Sequence, residues 1–402
     1  MKGFRDFYPE DKRKENYIFN IWKKIAEKYG YEEIDMPILE DAEIYNKSGQ
    51  EIPEQIYRFK DKKEREIALR PETTPSVARM VKANPSVRTP IKWFSISQCY
   101  RYEKLQKGRG REFYQLNVDF LGTREMQSDA EIIVTLINIL KEFGLTEKDF
   151  YIKISNRTLL NDLFKSLNIK NAKEVSRLLD KREKISESDL KKELKKLKLD
   201  NKQANKLFEL FKLDSLNKIK IESNGLDELK ELFEILKRYN ADKYCKLDLS
   251  IMRGFDYYTS TVFEAFDKKK EFRSIAGGGR YDDLAGMPGV GYGMGDIVLG
   301  LLLEEKGKLN DLRNETDVLL IPIKTLDKCI AIAEKLRNEG IKVKLDLLDR
   351  NISKNLDYAD KLKIPYVIII GEDELKQKKL KLKNMKTGNE KLVKIEEIKK
   401  LL

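Results

Sequence analysis

Apolar and polar positions follow three different rhythms along this chain. From Ile91 to Glu103 (IKWFSISQCYRYE) and from Arg111 to Leu121 (REFYQLNVDFL), β-branched and aromatic residues are dense and no proline interrupts them. That predicts two strands. Their connection, Lys104–Gly110, is seven residues long, cationic and glycine-containing, which makes the pair a long-looped hairpin. Around residues 160–240 apolar residues recur at helical spacing (Leu159, Leu160, Leu163, Phe164, Leu167). Lysine-rich stretches such as Lys191–Lys198 are broken by leucines, with one glycine, Gly225, and no proline. This predicts a run of helices. Toward the C-terminus the pattern alternates. Val318–Ile323 reads as a buried strand, Leu326–Asn338 as an amphipathic helix, Val343–Leu347 as a strand, Ile352–Leu362 as a helix and Tyr366–Ile370 as a strand. Strands alternating with helices predict a parallel α/β unit of about 90 residues.

Alternation on the second hairpin arm puts Arg111, Phe113, Gln115, Asn117 and Asp119 on one face. On the first arm Cys99, Arg101 and Glu103 share a face. If the two faces coincide, one sheet surface carries guanidiniums, an aromatic ring, amides and acids, with an arginine-bearing loop at its end. A solvated sheet face can look like this. So can a nucleotide platform, where arginine clamps phosphate, a ring stacks on the base, and acids and amides bind a small amphoteric substrate.

Composition narrows the chemistry. The 402 residues suffice for two to three domains of roughly 100–200 residues each. There is no histidine, which excludes Ser-His-Asp and Cys-His nucleophiles, a histidine general base and histidine-liganded metals. The three cysteines (Cys99, Cys245, Cys329) are far apart with no C-x-x-C, so neither a zinc site nor a disulfide framework is expected, and a reducing compartment is. No run of 18 apolar residues occurs, and the expectation is a soluble, cytoplasmic protein without membrane contact. The net charge of +12 is uneven: residues 160–240 and 315–402 each carry +5. Two modules therefore hold most of the basic excess, as lysine-biased solvated helices or as surfaces that face a polyanion.

The hairpin also carries a more specific signal. Tyr100-Arg101-Tyr102-Glu103 followed by Gly108-Arg109-Gly110-Arg111-Glu112-Phe113-Tyr114-Gln115 resembles motif 2 of the class II aminoacyl-tRNA synthetases, in the form found in the histidyl-tRNA synthetase family. Gly3-Phe4-Arg5-Asp6 with Pro9 resembles that family's N-terminal signature, and Tyr31-Glu32-Glu33-Ile34 through Pro37 its motif 1. Leu69-Arg70-Pro71-Glu72-Thr73-Thr74-Pro75 is similar to its amino-acid-binding loop. Arg253-Gly254-Phe255-Asp256-Tyr257-Tyr258-Thr259 through Val262-Phe263-Glu264 is similar to its histidine signature, and Gly277-Gly278-Gly279-Arg280-Tyr281-Asp282-Asp283-Leu284 to the run that follows. The resemblance covers residues 1–314 in order, and the C-terminal unit resembles the anticodon-binding domain.

The resemblance implies an α+β fold: a six-stranded antiparallel sheet flanked by helices, a helical insertion and a C-terminal α/β anticodon-binding domain. The implied division is 1–159 for the first part of the catalytic core, 160–240 for the insertion, 241–314 for the second part and 315–402 for the anticodon-binding domain. It implies a homodimer that forms histidyl-adenylate from histidine and ATP, the latter with Mg2+, and passes the acyl group to the 3′ end of tRNA(His), with no permanent cofactor. Phe113 would stack on adenine. Arg101 would hold the α-phosphate, near Glu103, with Arg109 and Arg111 also on ATP. Glu72, Thr74 and Gln115 would bind the ammonium and orient the carboxylate, and Asp119 and Tyr258, beside Tyr257, would meet the imidazole. Arg253 would face Arg101 across the reacting phosphate, also touching histidine, where most of the class places a metal; no metal-ligand set is readable here. Loop Lys104–Gly110 would reach the acceptor end of the tRNA, the insertion would clamp its acceptor arm, and Lys344, Arg350 and Lys354 would read the anticodon.

One motif departs. In Gly291-Tyr292-Gly293-Met294-Gly295-Asp296-Ile297-Val298-Leu299, Ile297 and Val298 stand where motif 3 of the family has a Glu-Arg pair whose arginine grips the γ-phosphate. Either Arg109 or Arg111 takes that phosphate, or ATP binds more weakly. The alternative reading is a histidine-sensing, synthetase-like regulatory subunit of ATP phosphoribosyltransferase. The missing arginine favours it; the anticodon-like unit and the presence of both Arg101 and Arg253 oppose it.

Overall fold

The alternation between Ile91 and Leu121 is realised as one continuous antiparallel ladder in a computed structural model that describes residues 1–48, 51–180, 186–251, 257–309 and 315–402. The chain divides into two compact units, Met1–Asn310 and Asp311–Leu402. The first unit runs α1 (Pro9–Lys28), β1 (Glu32–Glu33), β2 (Leu39–Asp41), α2 (Glu51–Gln55), β3 (Arg58–Lys60), β4 (Glu66–Leu69), α3 (Thr74–Ala83), β5 (Ile91–Tyr100), β6 (Glu112–Leu121) and α4 (Met126–Glu142). It continues with β7 (Phe150–Asn156), α5 (Arg157–Ser166), α6 (Ala172–Asp180), α7 (Glu187–Lys196), α8 (Asn201–Phe211), α9 (Asn224–Arg238), β8 (Cys245–Leu247), β9 (Thr261–Asp267), β10 (Ala276–Tyr281), β11 (Gly289–Gly295) and α10 (Asp296–Glu305).

Eight of these strands form one sheet in the order β1-β5-β6-β11-β10-β9-β7-β8, and β2, β4 and β3 form a small sheet of their own. From β5 to β7 every pairing is antiparallel, so the expected six-stranded core is present. The two further strands, β1 and β8, lie parallel at the edges and are only two and three residues long. Elements that short leave no alternation to read. Even-numbered residues of β6 and β11 turn toward α1 and α4. Leu116, Val118, Val290, Tyr292 and Met294 are buried on that side, and the Trp22 indole of α1 donates to Met294 Sδ at 3.2 Å.

Helix α4 is apolar on most of its circumference because it is enclosed by the sheet, α1 and α9. Its first turn carries a charge, Asp129, that is fully buried and ion-paired with Arg280 of β10. The same guanidinium donates to Thr123 O at 2.9 Å and Ser128 Oγ at 2.8 Å, so its donors are well used. Helices α5–α9 supply the expected helical run. Asp200 and Gln203 make a capping box on α8, and Ser186 caps α7. Gly225 is there for space: a Cβ would collide with Asn156 Oδ1 and Leu159 N, where α9 starts against α5.

The second unit is β12 (Val318–Pro322), α11 (Leu326–Asn338), β13 (Val343–Leu345), α12 (Ile352–Lys361), β14 (Tyr366–Ile370), α13 (Glu372–Lys376), β15 (Leu380–Asn384), β16 (Glu390–Val393) and α14 (Ile398–Leu401). Its sheet order is β13-β12-β14-β15-β16. The parallel arrangement expected holds for β13, β12 and β14, whereas β15 and β16 add antiparallel, making the sheet mixed. Their lysine-rich edge pattern hid them. Alternate residues of β12 feed two cores: Val318 and Leu320 pack with Cys329 and Ala333 of α11, Leu319 and Ile321 with Ala359 of α12. Among the described residues no helix is long and apolar enough to cross a membrane.

Removing one member of a buried ion pair strands the other. Asp129→Ala should therefore cost the first unit about 3–5 kcal/mol in urea unfolding, and a loss below about 1 kcal/mol, the range of an exposed pair, would contradict this account.

Candidate active site

The site begins with strand register. Asn117 of β6 pairs with Gly293 of β11, Gly293 with Gly277 of β10, Gly277 with Glu264 of β9, and Glu264 with Lys153 of β7. One row higher, Asp119 pairs with Gly291 and Gly291 with Gly279. At these two rows the two central strands thus have no side chains on the face where β6 carries acids and amides. A Cβ on Gly293 would come within 2.7 Å of Gln115 Nε2, and one on Gly291 would collide with Asp119 Oδ1. Above this bare floor lies a cavity of about 570 Å³.

The hairpin faces do coincide, since Cys99 pairs directly with Phe113. Of the residues singled out from sequence, Glu72, Thr74, Arg101, Glu103, Arg109, Phe113, Gln115, Tyr257 and Tyr258 all line this one cavity. They come from three separate stretches of chain. Asp119 lies directly behind the wall, 1 % exposed, so the groups that face the cavity beside Tyr258 are Asn117 and Tyr281. Arg111 is not brought in. The ladder ends at Tyr100 and Glu112, period two stops with it, and the Arg111 guanidinium lies 4.0 Å over the Tyr102 ring instead. Arg253 lies outside the described residues.

At the acidic end, Tyr257 Oη donates to Glu72 Oε2 at 2.9 Å, at the approach to α3. Thr74 Oγ1 donates to Asn117 Oδ1 at 3.4 Å, Asn117 Nδ2 donates to Asp119 Oδ2, and Tyr281 Oη donates to Asp119 Oδ1 at 2.5 Å. Burial pushes the Asp119 carboxyl up to about 7; the Tyr281 and Asn117 bonds oppose this, and the nearby Glu72 adds to it. The rings of Tyr257 and Tyr258 meet edge-on at 4.8 Å. This end offers one carboxylate for a cation, a second held near neutrality, and phenols that donate or accept. A small zwitterion with a polar ring fits that donor set.

The other end is cationic. The Arg101 guanidinium lies 5.1 Å from the Phe113 ring centroid, and its Nε donates to Pro71 O at 2.9 Å. Arg109 stands 2.7 Å from Glu103 Oε2 as an ion pair without hydrogen-bond alignment. A β-bridge between Gln106 and Arg109 folds the loop back on itself. Ile297 and Val298 also line the cavity.

Three residues of this region have no individual role in the sequence reading, although it sets Asn117 on the hairpin face. Asn117 and Tyr281 hold Asp119; the signal was the alternation Gly277, Gly279, Tyr281, which sets the tyrosine on the bare face. Asp296, nearly fully buried at the start of α10, accepts from Arg5 at 2.6 Å and from the Tyr114 backbone N–H at 2.9 Å. Burial raises its carboxyl above the usual range despite Arg5. It ties the N-terminal segment, the hairpin and α10 together, a junction across 291 positions that has no local signature. In the second unit, Lys344 and Arg350 stand 5.3 and 4.4 Å from the Tyr358 ring, and the Lys354 backbone N–H is capped by Asn351. Among the described residues no group of three or more carboxylate or thiol side chains is gathered as a metal site.

Known proteins match this architecture along its length. A family model described as Histidyl-tRNA synthetase matches residues 3–293, and one described as Anticodon binding domain matches residues 317–402. The chain is 39% identical over 408 residues to the histidine–tRNA ligase of Leptospira biflexa, covering 97% of this chain and 93% of the relative. It is 36% identical over 411 residues to that of Thermoplasma volcanium, covering 98% and 95%. The crystal structure of histidyl-tRNA synthetase from Nostoc sp. PCC 7120 superposes with a TM-score of 0.85 at 30% identity, covering 100% of this chain and 98% of that one. Both units of the chain are thus matched along their length by one known group: the chain belongs to the histidyl-tRNA synthetase family.

Proposed function

We propose that the cavity joins histidine to ATP as histidyl-adenylate and hands the acyl group to tRNA(His). The observation that carries this is the convergence on one cavity of residues drawn from the 69–75 loop, the hairpin and the segment after Arg253. Glu72, oriented by Tyr257, takes the α-ammonium, and Thr74 and Gln115 hold the substrate's carboxylate end. Phe113 stacks on adenine and Arg101 holds the α-phosphate, with Glu103 and Arg109 alongside. ATP enters as its Mg2+ complex.

The chemistry suits a protein without histidine. The attacking carboxylate is already ionised, so no general base is needed. What the step requires is compensation for charge that builds on the α-phosphate as the carboxylate oxygen adds and pyrophosphate leaves. Arg101 supplies it from one side. Arg253, four and five positions before the cavity-lining Tyr257 and Tyr258, is assigned the other side. The regulatory-subunit alternative keeps one favourable feature, Val298, but it predicts no turnover.

Three further parts of the reading rest on exposure and charge. Ile38, Leu39 and Phe59 are exposed apolar residues on and beside the small sheet that follows motif 1, which supports a homodimer through this face; sedimentation should give twice the chain mass, and a monomer at micromolar concentration would count against it. The lysine-rich helices α6–α8 support an electrostatic contact with tRNA that weakens as salt rises. The three cysteines are free and buried, in keeping with a reducing, cytoplasmic setting.

Histidine-dependent exchange of pyrophosphate into ATP tests the activity. Wild-type chain should exchange with histidine and with no other amino acid, and Arg253→Ala should lower kcat by roughly 10²–10³-fold; silence of the wild type with histidine would defeat the reading. Asp119→Ala should raise the KM for histidine far more than that for ATP, whereas equal rises would separate this residue from imidazole recognition. Asp119 also has a pH signature. Its carboxyl sits at about 7 when folded against about 3.9 unfolded. The native state therefore keeps a proton that the unfolded chain gives up between those values, and stability from this group falls as pH rises through that window. Urea unfolding of Asp119→Asn should lose this component of the slope between about pH 4 and 7.

A further inference from the structure

The proposed reaction leaves one requirement unassigned among the residues named so far: a cation for the β- and γ-phosphates of ATP. Where the family carries an arginine, helix α10 carries Val298, which lines the cavity and packs beneath Gly108 of the hairpin loop. The two hairpin arginines do not fill the place. Arg109 is engaged by Glu103 at 2.7 Å, and Arg111 lies on Tyr102 outside the cavity.

A different arginine stands one strand away. β10 pairs with β11 as far as Ala276 and Met294, and beyond that pairing the connection before β10 and the start of α10 border the same cavity, which Arg273, Ile297 and Val298 all line. Arg273 lines the cavity, as does Lys270. Both are exposed, and among the described residues neither side chain makes a hydrogen bond or ion pair. The connection that bears them is held in shape. The buried Asp267 carboxylate accepts from Glu271 N at 3.0 Å and from Phe272 N at 3.1 Å, and Ile275 N continues the ladder to Ala265 O at 2.8 Å. The tip of the hairpin loop reaches the same place, with Lys107 Nζ 4.7 Å from the Phe272 ring centroid.

Three segments therefore meet at one rim: the hairpin loop, the start of α10 and the β9–β10 connection. The cations gathered there are Lys107, Lys270 and Arg273, and of these only Arg273 has a planar fork that can grip two phosphate oxygens at once. Like charges in an open rim with no carboxylate paired to Lys270 or Arg273 suit a ligand that is itself densely anionic.

We propose that Arg273, assisted by Lys270, holds the β- and γ-phosphates of ATP in place of the arginine that Val298 replaces. This rests on the reading of the cavity as an ATP site. In the reaction the guanidinium would keep its grip on the pyrophosphate as the bond to the α-phosphate breaks, neutralising the leaving group without moving a proton.

The test compares binding of Mg2+–ATP and of AMP to the full chain by calorimetry, since the two nucleotides share adenosine and the α-phosphate and differ in the phosphates at issue. Arg273→Ala should weaken ATP by roughly 10–100-fold and leave AMP within about twofold. Arg273→Lys should recover part of the loss, because it keeps the charge and not the fork. The KM for histidine should stay unchanged, and so should the melting temperature, since Arg273 is exposed and unpaired. Unchanged ATP affinity in Arg273→Ala, or equal weakening of ATP and AMP, would overturn the assignment. So would loss of the preference for ATP over AMP in Arg109→Ala but not in Arg273→Ala. A wild-type chain that bound neither nucleotide would instead defeat the reading of the cavity itself, and this proposal with it.

Discussion

The first unit depends on a constraint between strands: β10 and β11 can carry almost nothing on the face where β6 carries its polar side chains. Asp119 and Gln115 lean across the adjacent strand so closely that Gly291 and Gly293 have no room for a Cβ. A sheet face built this way is a floor rather than a core, and the cavity exists because the side chains that would fill it are missing. Glycines in a strand also weaken it, since they bury little and lose the most backbone freedom. The opposite face offsets that cost. There Val290, Tyr292 and Met294 are buried against α1 and α4, and Arg280 reaches through to the buried Asp129.

A floor needs walls whose positions do not drift. Tertiary hydrogen bonds over long stretches of chain provide them. Asp296 accepts at once from Arg5 and from the Tyr114 backbone, so the N-terminal segment, the hairpin and α10 share one buried carboxylate. Gly3 O accepts from Arg111 N at 2.8 Å where the hairpin leaves its ladder. At the acidic end Tyr281 and Asn117 hold Asp119, and Tyr257 holds Glu72. Glu72 and Asp119 are thus each oriented by a tyrosine from a different element, which is what preorganisation of a charged site requires.

The absence of histidine and the shape of the site belong together chemically. Adenylate formation needs charge placed against charge, and the cavity is polarised accordingly. Carboxylates and phenols lie at the end for an amino acid, and guanidiniums and a stacking ring at the end for a nucleotide. Asp119, whose carboxyl is pushed up to about 7, is fully enclosed, and burial rather than a charged neighbour is the main cause. It titrates near neutrality without being placed to abstract a proton from the reacting atoms.

The sequence by itself determined what is encoded locally or by recognisable motifs. Alternation over 91–121 set the hairpin and the shared face of Arg101 and Phe113, helical spacing set α5–α9, and motif order set the family and most of the cavity's lining. Tertiary structure decided whatever depends on partners far along the chain. Arg111 leaves the face because pairing stops at Tyr100. Asp119 sits behind the wall because Tyr281, 162 positions later, closes over it. β15 and β16 turn antiparallel at an edge where lysines mask the pattern, and β1 and β8 are too short to have one. That Arg273 and Val298 border one cavity is decided by the packing of the β9–β10 connection against the start of α10. Periodicity records which way a side chain points from its own element, whereas only packing between elements records what it points at.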